Sequence, residues 1–175
     1  MKCLFFLVPL ASVQVEAVFR NICKVHDSEN GRVLFSGDEN ILARVNICSH
    51  FAERVQILIG SFTAKTFEEL FQGVKSLPWE EWIGREDAFP VKGHAIKSKL
   101  HSIPDCQAIV KKAVVRSMSA NYGIDIFPET GVKYQIEFFI LNDEATLMID
   151  TSGTALHKRG YRKDALGAPI RETLA

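Results

Sequence analysis

The first clear pattern is an apolar run at residues 4–8, stopped by Pro9, which predicts a buried strand. Val15, Val18, Phe19 and Ile22 then recur at helical spacing and predict a helix over 13–22. Asn30-Gly31 is a turn signal opening a short strand at 32–35, which Gly37-Asp38 closes. A second helix over 38–49 turns Ile41, Val45 and Cys48 inward, and a strand over 54–59 ends at Gly60. Two helices and several strands in alternation suggest a ferredoxin-like or split βαβ unit. Alone it would be marginally stable, so it is expected to pack on the rest of the chain.

The next helix is marked by a capping box, Thr66 with Glu69 three residues later, and by one apolar stripe of Phe67, Leu70, Phe71 and Val74. Leu77-Pro78-Trp79 ends it; Trp79 and Trp82 are read as core anchors, with base stacking the less favoured role. A strand near 89–93 leads through a basic loop to a helix with Pro104 and Asp105 in its first turn. Cys106, Ile109, Val110, Ala113, Val114 and Met118 face inward there, while Gln107, Lys111, Lys112 and Arg116 face out. Residues 133–141 alternate, with Tyr134, Ile136, Phe138 and Ile140 on one side, and Asn142-Asp143 turns them into a partner strand over 145–150. The fold class is α+β.

Composition narrows this reading only a little. The chain is 47% hydrophobic and 24% charged, as a folded protein should be. Its 21 basic and 21 acidic side chains cancel, so any nucleic-acid signal must lie in local clustering. Cys3, Cys23, Cys48 and Cys106 are widely spread, which argues against a zinc knuckle, a redox dithiol or a disulfide framework and for free thiols in a reducing cytosol. Residues 1–17 imitate a signal peptide, with Lys2 before the apolar run. The strand reading is preferred, because the cysteines give no sign of secretion. No run approaches the ~18 apolar residues of a membrane span.

Motifs of catalysis are absent. There is no Asn/Asp-Pro-Pro-aromatic tetrapeptide, no strand followed by GxGxxG and no P-loop. The loop Asp150-Thr151-Ser152-Gly153-Thr154 reads as a turn, and His101 and Cys106 lack a third group to make a dyad or a metal site. Charge, by contrast, is clustered. Lys92, Lys97, Lys99, Lys111, Lys112 and Arg116 face a single acid, Asp105, and His94 and His101 add neutral donors. A second cluster holds Lys158, Arg159, Arg162, Lys163 and Arg171 against Asp164. The balancing acids are Glu68, Glu69, Glu80, Glu81, Glu86 and Asp87. Taken alone, such runs are more often simply solvated faces. Lys97-Ser98-Lys99 directly precedes a helix N-terminus, and Lys112 and Arg116 are i, i+4 neighbours with Lys111 alongside, which would line one groove suited to phosphates.

Several runs together resemble bacterial THUMP-containing class I RNA methyltransferases, notably those similar to the large-subunit ribosomal RNA guanine-N2 enzymes. They are Thr66-Phe67-Glu68-Glu69-Leu70-Phe71, Leu77-Pro78-Trp79-Glu80, Lys97-Ser98-Lys99-Leu100, and the stretch from Pro104 to Ala113. The most specific are Leu156-His157-Lys158-Arg159-Gly160-Tyr161-Arg162 and Ala168-Pro169-Ile170-Arg171-Glu172-Thr173-Leu174-Ala175. The resemblance implies a small ferredoxin-like domain over 1–60 packed on a THUMP RNA-binding domain over 61–157. Residues 158–175 would then link to a methyltransferase domain absent from this chain. It also implies that the chain itself is non-catalytic and takes no cofactor. S-adenosylmethionine would bind the missing domain, supplied in cis or in trans. The expected partner is structured RNA, ribosomal rather than transfer, in the cytoplasm, with no membrane. The RNA-binding residues carried over are Lys97, Lys99, Lys111, Lys112, Lys158, Arg159 and Arg162, and Arg116 joins them from its place on the outer face of the helix; no catalytic or metal residue is carried over. The rival readings are a non-catalytic subunit of a split RNA-modification enzyme, and a secreted interaction domain should residues 1–17 be cleaved.

Overall fold

The computed structural model describes residues 2–7, 24–29, 32–49 and 52–158. In chain order these form β1 (Lys2–Leu7), β2 (Lys24–Glu29), β3 (Arg32–Ser36), α1 (Glu39–Cys48), β4 (Ala52–Thr63), α2 (Phe67–Lys75), β5 (Val91–Ile96), α3 (Ile103–Tyr122), β6 (Gln135–Leu141) and β7 (Glu144–Asp150). Single 3-10 turns lie at Trp79–Glu81 and Leu156–Lys158. The described chain divides into two compact units. One comprises the residues up to Ile57 with the segment from Asp150, and the other is Leu58–Ile149.

In the first unit the strand order is β2-β3-β1-β4, with every pairing antiparallel. The apolar run near the N-terminus is β1, central in this order, with Phe5 opposite Val33 on one side and Val55 on the other. The strand β2 was not anticipated. Its sequence, KVHDSE, has no apolar period, and an outermost strand needs only backbone pairing, which β3 provides. The turn expected at Asn30-Gly31 lies outside the described residues, while Glu29 and Arg32 on either side of it are paired. The helix expected over 13–22 lies outside the described residues. In α1 the Asp38 carboxylate caps the helix by accepting from the Ile41 amide at 2.8 Å. Val45 is buried as expected and Ile41 half-buried, but Cys48 is exposed; the last turn of α1 rotates it away from the core.

The second unit begins partway along β4, which continues through Gly60 to Thr63 where the sequence suggested a stop. The glycine is there for space: a Cβ would stand 2.5 Å from Cδ2 of Leu77. The strand order is β4-β7-β6-β5, with β5 parallel to β6 and Gly93 opposite Phe138. Parallel neighbours need a crossover. Here it is α3, whose Cys106, Val110, Ala113, Val114 and Met118 are buried with Ile136, Phe138 and Ile140 of β6, and with Leu70 and Val74 of α2. Ile109 is only half-buried. Trp79 is fully buried and its indole Nε1 donates to the Val74 carbonyl at 2.8 Å, so it anchors the end of α2 and is closed to a base. Trp82 is half-buried against the same core. The capping box of α2 has an offset. Thr66 accepts from the Glu69 amide at 3.2 Å, while the Glu69 carboxylate takes the amide of Lys65, one residue earlier, at 2.7 Å.

The stability of the second unit should respond to two substitutions. Thr66→Ala should cost about 1 kcal/mol in denaturant unfolding, with Thr66→Ser close to wild type. Gly93→Ala should cost about 1–3 kcal/mol, because the new methyl meets the Phe138 ring at 2.5 Å. Adding Phe138→Leu should recover part of that loss if the clash is the cause.

Candidate nucleic-acid interface

The hairpin between β6 and β7 turns on two residues, Asn142 at φ 51° and Asp143 at φ 65°. Asn and Asp tolerate the left-handed region better than other side chains, and a two-residue turn of this hand matches the twist of the strands. This turn organises its neighbours. The Asp143 Oδ1 atom accepts from the Lys99 amide at 2.8 Å and from the Ser98 hydroxyl at 2.9 Å. The Asp143 carbonyl accepts from the Ala64 amide at 2.8 Å, and the Asn142 amide donates to the Ile96 carbonyl at 3.3 Å. The loop after β5 is thereby tied down even though Lys97 takes a φ of 49°, uncommon for a residue with a Cβ. The side chains of Lys97 and Lys99 stay exposed, as does that of Lys65, which precedes α2.

The Asp143 carboxyl is held below its ordinary range. The Lys99 amide is the largest cause and the Ser98 hydroxyl the next; desolvation opposes them, and the charges of Lys99 and Lys65 add the smallest lowering effects.

At the start of α3 the hydroxyl of the N-cap residue Ser102 does not accept from the helix; it donates to the Asp105 carboxylate at 2.5 Å. Asp105 is exposed, and at 3.6 residues per turn it shares the outer stripe of α3 with Lys112 and Arg116. The cations therefore fall into two groups with an acid between them. Arg116 lies 13 residues beyond Ile103, about 20 Å along the axis.

Lys111 and Lys112 do not act as a pair. Lys111 Nζ is 2.6 Å from Glu129 Oε1, 3.1 Å from the Phe89 carbonyl and 3.6 Å above the centre of the Phe89 ring. Lys112 leans to the other flank, its Nζ 5.9 Å from the centre of the Phe71 ring on α2. The expectation that Lys111 lies free beside Lys112 is corrected: successive helical residues diverge by about 100°, and a carboxylate waits on one side only. Lys97, Lys99, Lys112 and Arg116 make no ion pair among the described residues. Lys92 and His94 alternate on the exposed side of β5. Lys158 is exposed in the first unit, while Arg159 and Arg162 lie outside the described residues.

Sequence reasoning missed Lys65, Asp143 and Glu129. The Asn-Asp turn was visible, but nothing local tells which distant amide an aspartate will accept from. The loop Asp150–Gly153 is a turn, as expected, and more firmly held than a turn needs to be. Arg54 pairs with Asp150 and donates to the Gly153 carbonyl at 3.2 Å, and the Val55 amide donates to Ser152 Oγ at 2.7 Å. The Val55 carbonyl accepts from Thr151 Oγ1 at 2.8 Å, and Asn46 Nδ2 donates to Thr151 Oγ1 at 3.1 Å. His101 is exposed with Nδ1 3.0 Å from the Lys99 carbonyl, and Cys106 is buried with its thiol pushed up chiefly by desolvation, so the two form no dyad. Among the described residues no cluster of His, Cys, Asp and Glu could hold a metal, and no helix is long and apolar enough to cross a membrane.

A depressed carboxylate contributes stability that is present above its unfolded pKa, ~3.9, and is lost as the pH falls through its folded value. In an acid titration followed by NMR, the Lys99 amide resonance should move with a midpoint below the ordinary aspartate value of ~3.9. A midpoint at or above the ordinary aspartate value would contradict the contact.

Comparison with known proteins agrees with this architecture. A THUMP domain matches residues 64–150, and an RlmL ferredoxin-like domain matches residues 16–56. YpsC of Bacillus subtilis (strain 168), whose name calls it an RNA methyltransferase, is 44% identical over 180 residues, covering 98% of this chain and 46% of its own length. Ribosomal RNA large subunit methyltransferase K/L of Syntrophotalea carbinolica is 31% identical over 144 residues, 81% of this chain and 20% of that protein. A crystal structure from Listeria monocytogenes str. 4b F2365, of a protein predicted to be an N6-adenine-specific DNA methylase, superposes with a TM-score of 0.92 at 44% identity. It covers 99% of this chain and 46% of the other. The chain thus spans 46% of the length of YpsC and 20% of that of the ribosomal enzyme. It belongs to the THUMP-domain family, with an RlmL-type ferredoxin-like domain preceding the THUMP domain.

Proposed function

We propose that this chain is the RNA-capturing part of an RNA guanine-N2 methyltransferase and that it holds structured ribosomal RNA in the cytoplasm. The methyl donor, S-adenosylmethionine, is bound by a catalytic domain outside this chain, joined in cis or supplied in trans. One observation carries the reading: within the THUMP unit the exposed cations Lys97, Lys99, Lys112 and Arg116 make no ion pair among the described residues. Cations without partners are available to phosphates, and the release of counterions from the RNA then supplies affinity. Ribosomal rather than transfer RNA is favoured by the name of the large-subunit relative. Contacts of this type position a backbone, so selectivity comes from the shape of the RNA. Lys158, Arg159 and Arg162 are further candidate contacts by their charge in the sequence. Lys111 is withdrawn from the contact set, because Glu129 already neutralises it.

Fluorescence anisotropy with a structured ribosomal RNA fragment tests this. The four contacts of the THUMP unit by themselves contribute about −3 to −4 to the slope of log affinity against log salt. The double variants Lys97→Glu/Lys99→Glu and Lys112→Glu/Arg116→Glu should each weaken binding and flatten that slope by about 1.5–2. Lys111→Met should leave affinity unchanged and thermal stability nearly so, since the pair with Glu129 is about one-third exposed. Tighter binding to transfer RNA or to duplex DNA than to the ribosomal fragment would redirect the assignment. Unchanged affinity in both double variants would remove this surface.

A further inference from the structure

Three lysines adjoin residues hydrogen-bonded to the Asn142-Asp143 turn, and they come from two separate parts of the chain. Lys65 stands between β4 and α2, and Lys97 and Lys99 lie in the loop after β5. Three hydrogen bonds bring these segments to one turn. The amide beside Lys65, that of Ala64, goes to the Asp143 carbonyl at 2.8 Å, and the amide of Lys99 goes to the Asp143 carboxylate at 2.8 Å. The carbonyl before Lys97, that of Ile96, accepts from the Asn142 amide at 3.3 Å. The single oxygen Oδ1 also takes the Ser98 hydroxyl, which in turn accepts from the Leu100 amide at 3.2 Å, so one side-chain atom orders the loop from 98 to 100. All three ammonium groups remain exposed, and none is ion-paired among the described residues. A carboxylate at the centre of a cationic patch would ordinarily weaken anion binding. Here its acceptor capacity is already directed at backbone and hydroxyl donors rather than at the ammonium groups.

We propose that the Asn142-Asp143 turn holds Lys65, Lys97 and Lys99 together as one cradle for an RNA phosphate, with the Asp143 carboxylate as the positioning residue for the loop at Ser98 and Lys99, a role that rests on the RNA-binding reading of this surface. Lys65 is then a further binding residue of the THUMP unit. The cradle is set by hydrogen bonding and not by the charge of the aspartate. An acceptor of the same shape without the charge should therefore serve as well or better.

Two variants separate these effects while keeping the turn. Asp143→Asn retains the oxygen acceptor and suits a positive φ; Asp143→Gly also suits a positive φ but removes the acceptor. Both lose the negative charge. Binding of a fluorescein-labelled RNA hairpin to the whole 175-residue chain should be equal to wild type or tighter in Asp143→Asn. It should be at least about fivefold weaker in Asp143→Gly than in Asp143→Asn, the scale of one or two lost hydrogen bonds. Hydrogen exchange at the Lys99 amide should be slow in wild type and Asp143→Asn and fast in Asp143→Gly, with thermal unfolding confirming that each is folded. Lys65→Gln should flatten the salt slope by about 1. Equal affinity in the Asn and Gly variants would overturn the positioning role while leaving RNA binding intact. Absence of hairpin binding by the wild-type chain would overturn the RNA reading and this role with it.

Discussion

Parallel pairing of β5 and β6 is the constraint from which the second unit is built. Two parallel neighbours cannot be joined by a tight turn, so the chain must cross back over the sheet. α3 makes that crossing and buries Val110, Ala113, Val114 and Met118 against Ile136, Phe138 and Ile140. The close approach depends on Gly93, whose missing side chain leaves room for the Phe138 ring. Because the helix must start from the end of β5, the loop carrying Lys97 and Lys99 is forced out at that end. The opposite stripe of the same helix presents Lys112 and Arg116. The distribution of cations is thus a consequence of the crossover.

Electrostatic neighbours then sort those cations into different roles. Lys111 rests on Phe89 and pairs with Glu129 at a site about one-third exposed, side chains 32% and 35% accessible, where it closes the edge of the core. Such a pair is worth little as a salt bridge, and its effect is to remove one positive charge from the set available to a ligand. Lys112, one residue on, finds only an aromatic face and keeps its charge available. Asp105 interrupts the outer stripe between the loop and Lys112, so the exposed cations form two groups and not an unbroken track.

The first unit shows the same economy of polar contacts. Asp150 and the three residues after it are held by Arg54, Val55 and Asn46 as β7 ends. A stretch that reads as an ordinary turn in sequence is therefore a clamp. It sets where the chain leaves β7 before reaching Lys158.

The sequence alone determined whatever depends on local pattern. The apolar stripe and cap of α2, the long helix with Pro104 in its first turn, the alternation in β6 and the Asn142-Asp143 turn were all legible, because helical and strand periods and left-handed turn residues act within a few positions. The family resemblance was legible too, carried by runs such as Lys97-Ser98-Lys99-Leu100. Only the tertiary structure decided what depends on distant partners. It added β2, a polar outermost strand with no period to read, and it extended β4 past Gly60 because Leu77 occupies the missing side-chain space. It also divided Lys111 from Lys112 and tied the lysine loop to Asp143, 44 residues away from Lys99. Such contacts are set by which surfaces the packed core brings together, and no window along the chain contains that information.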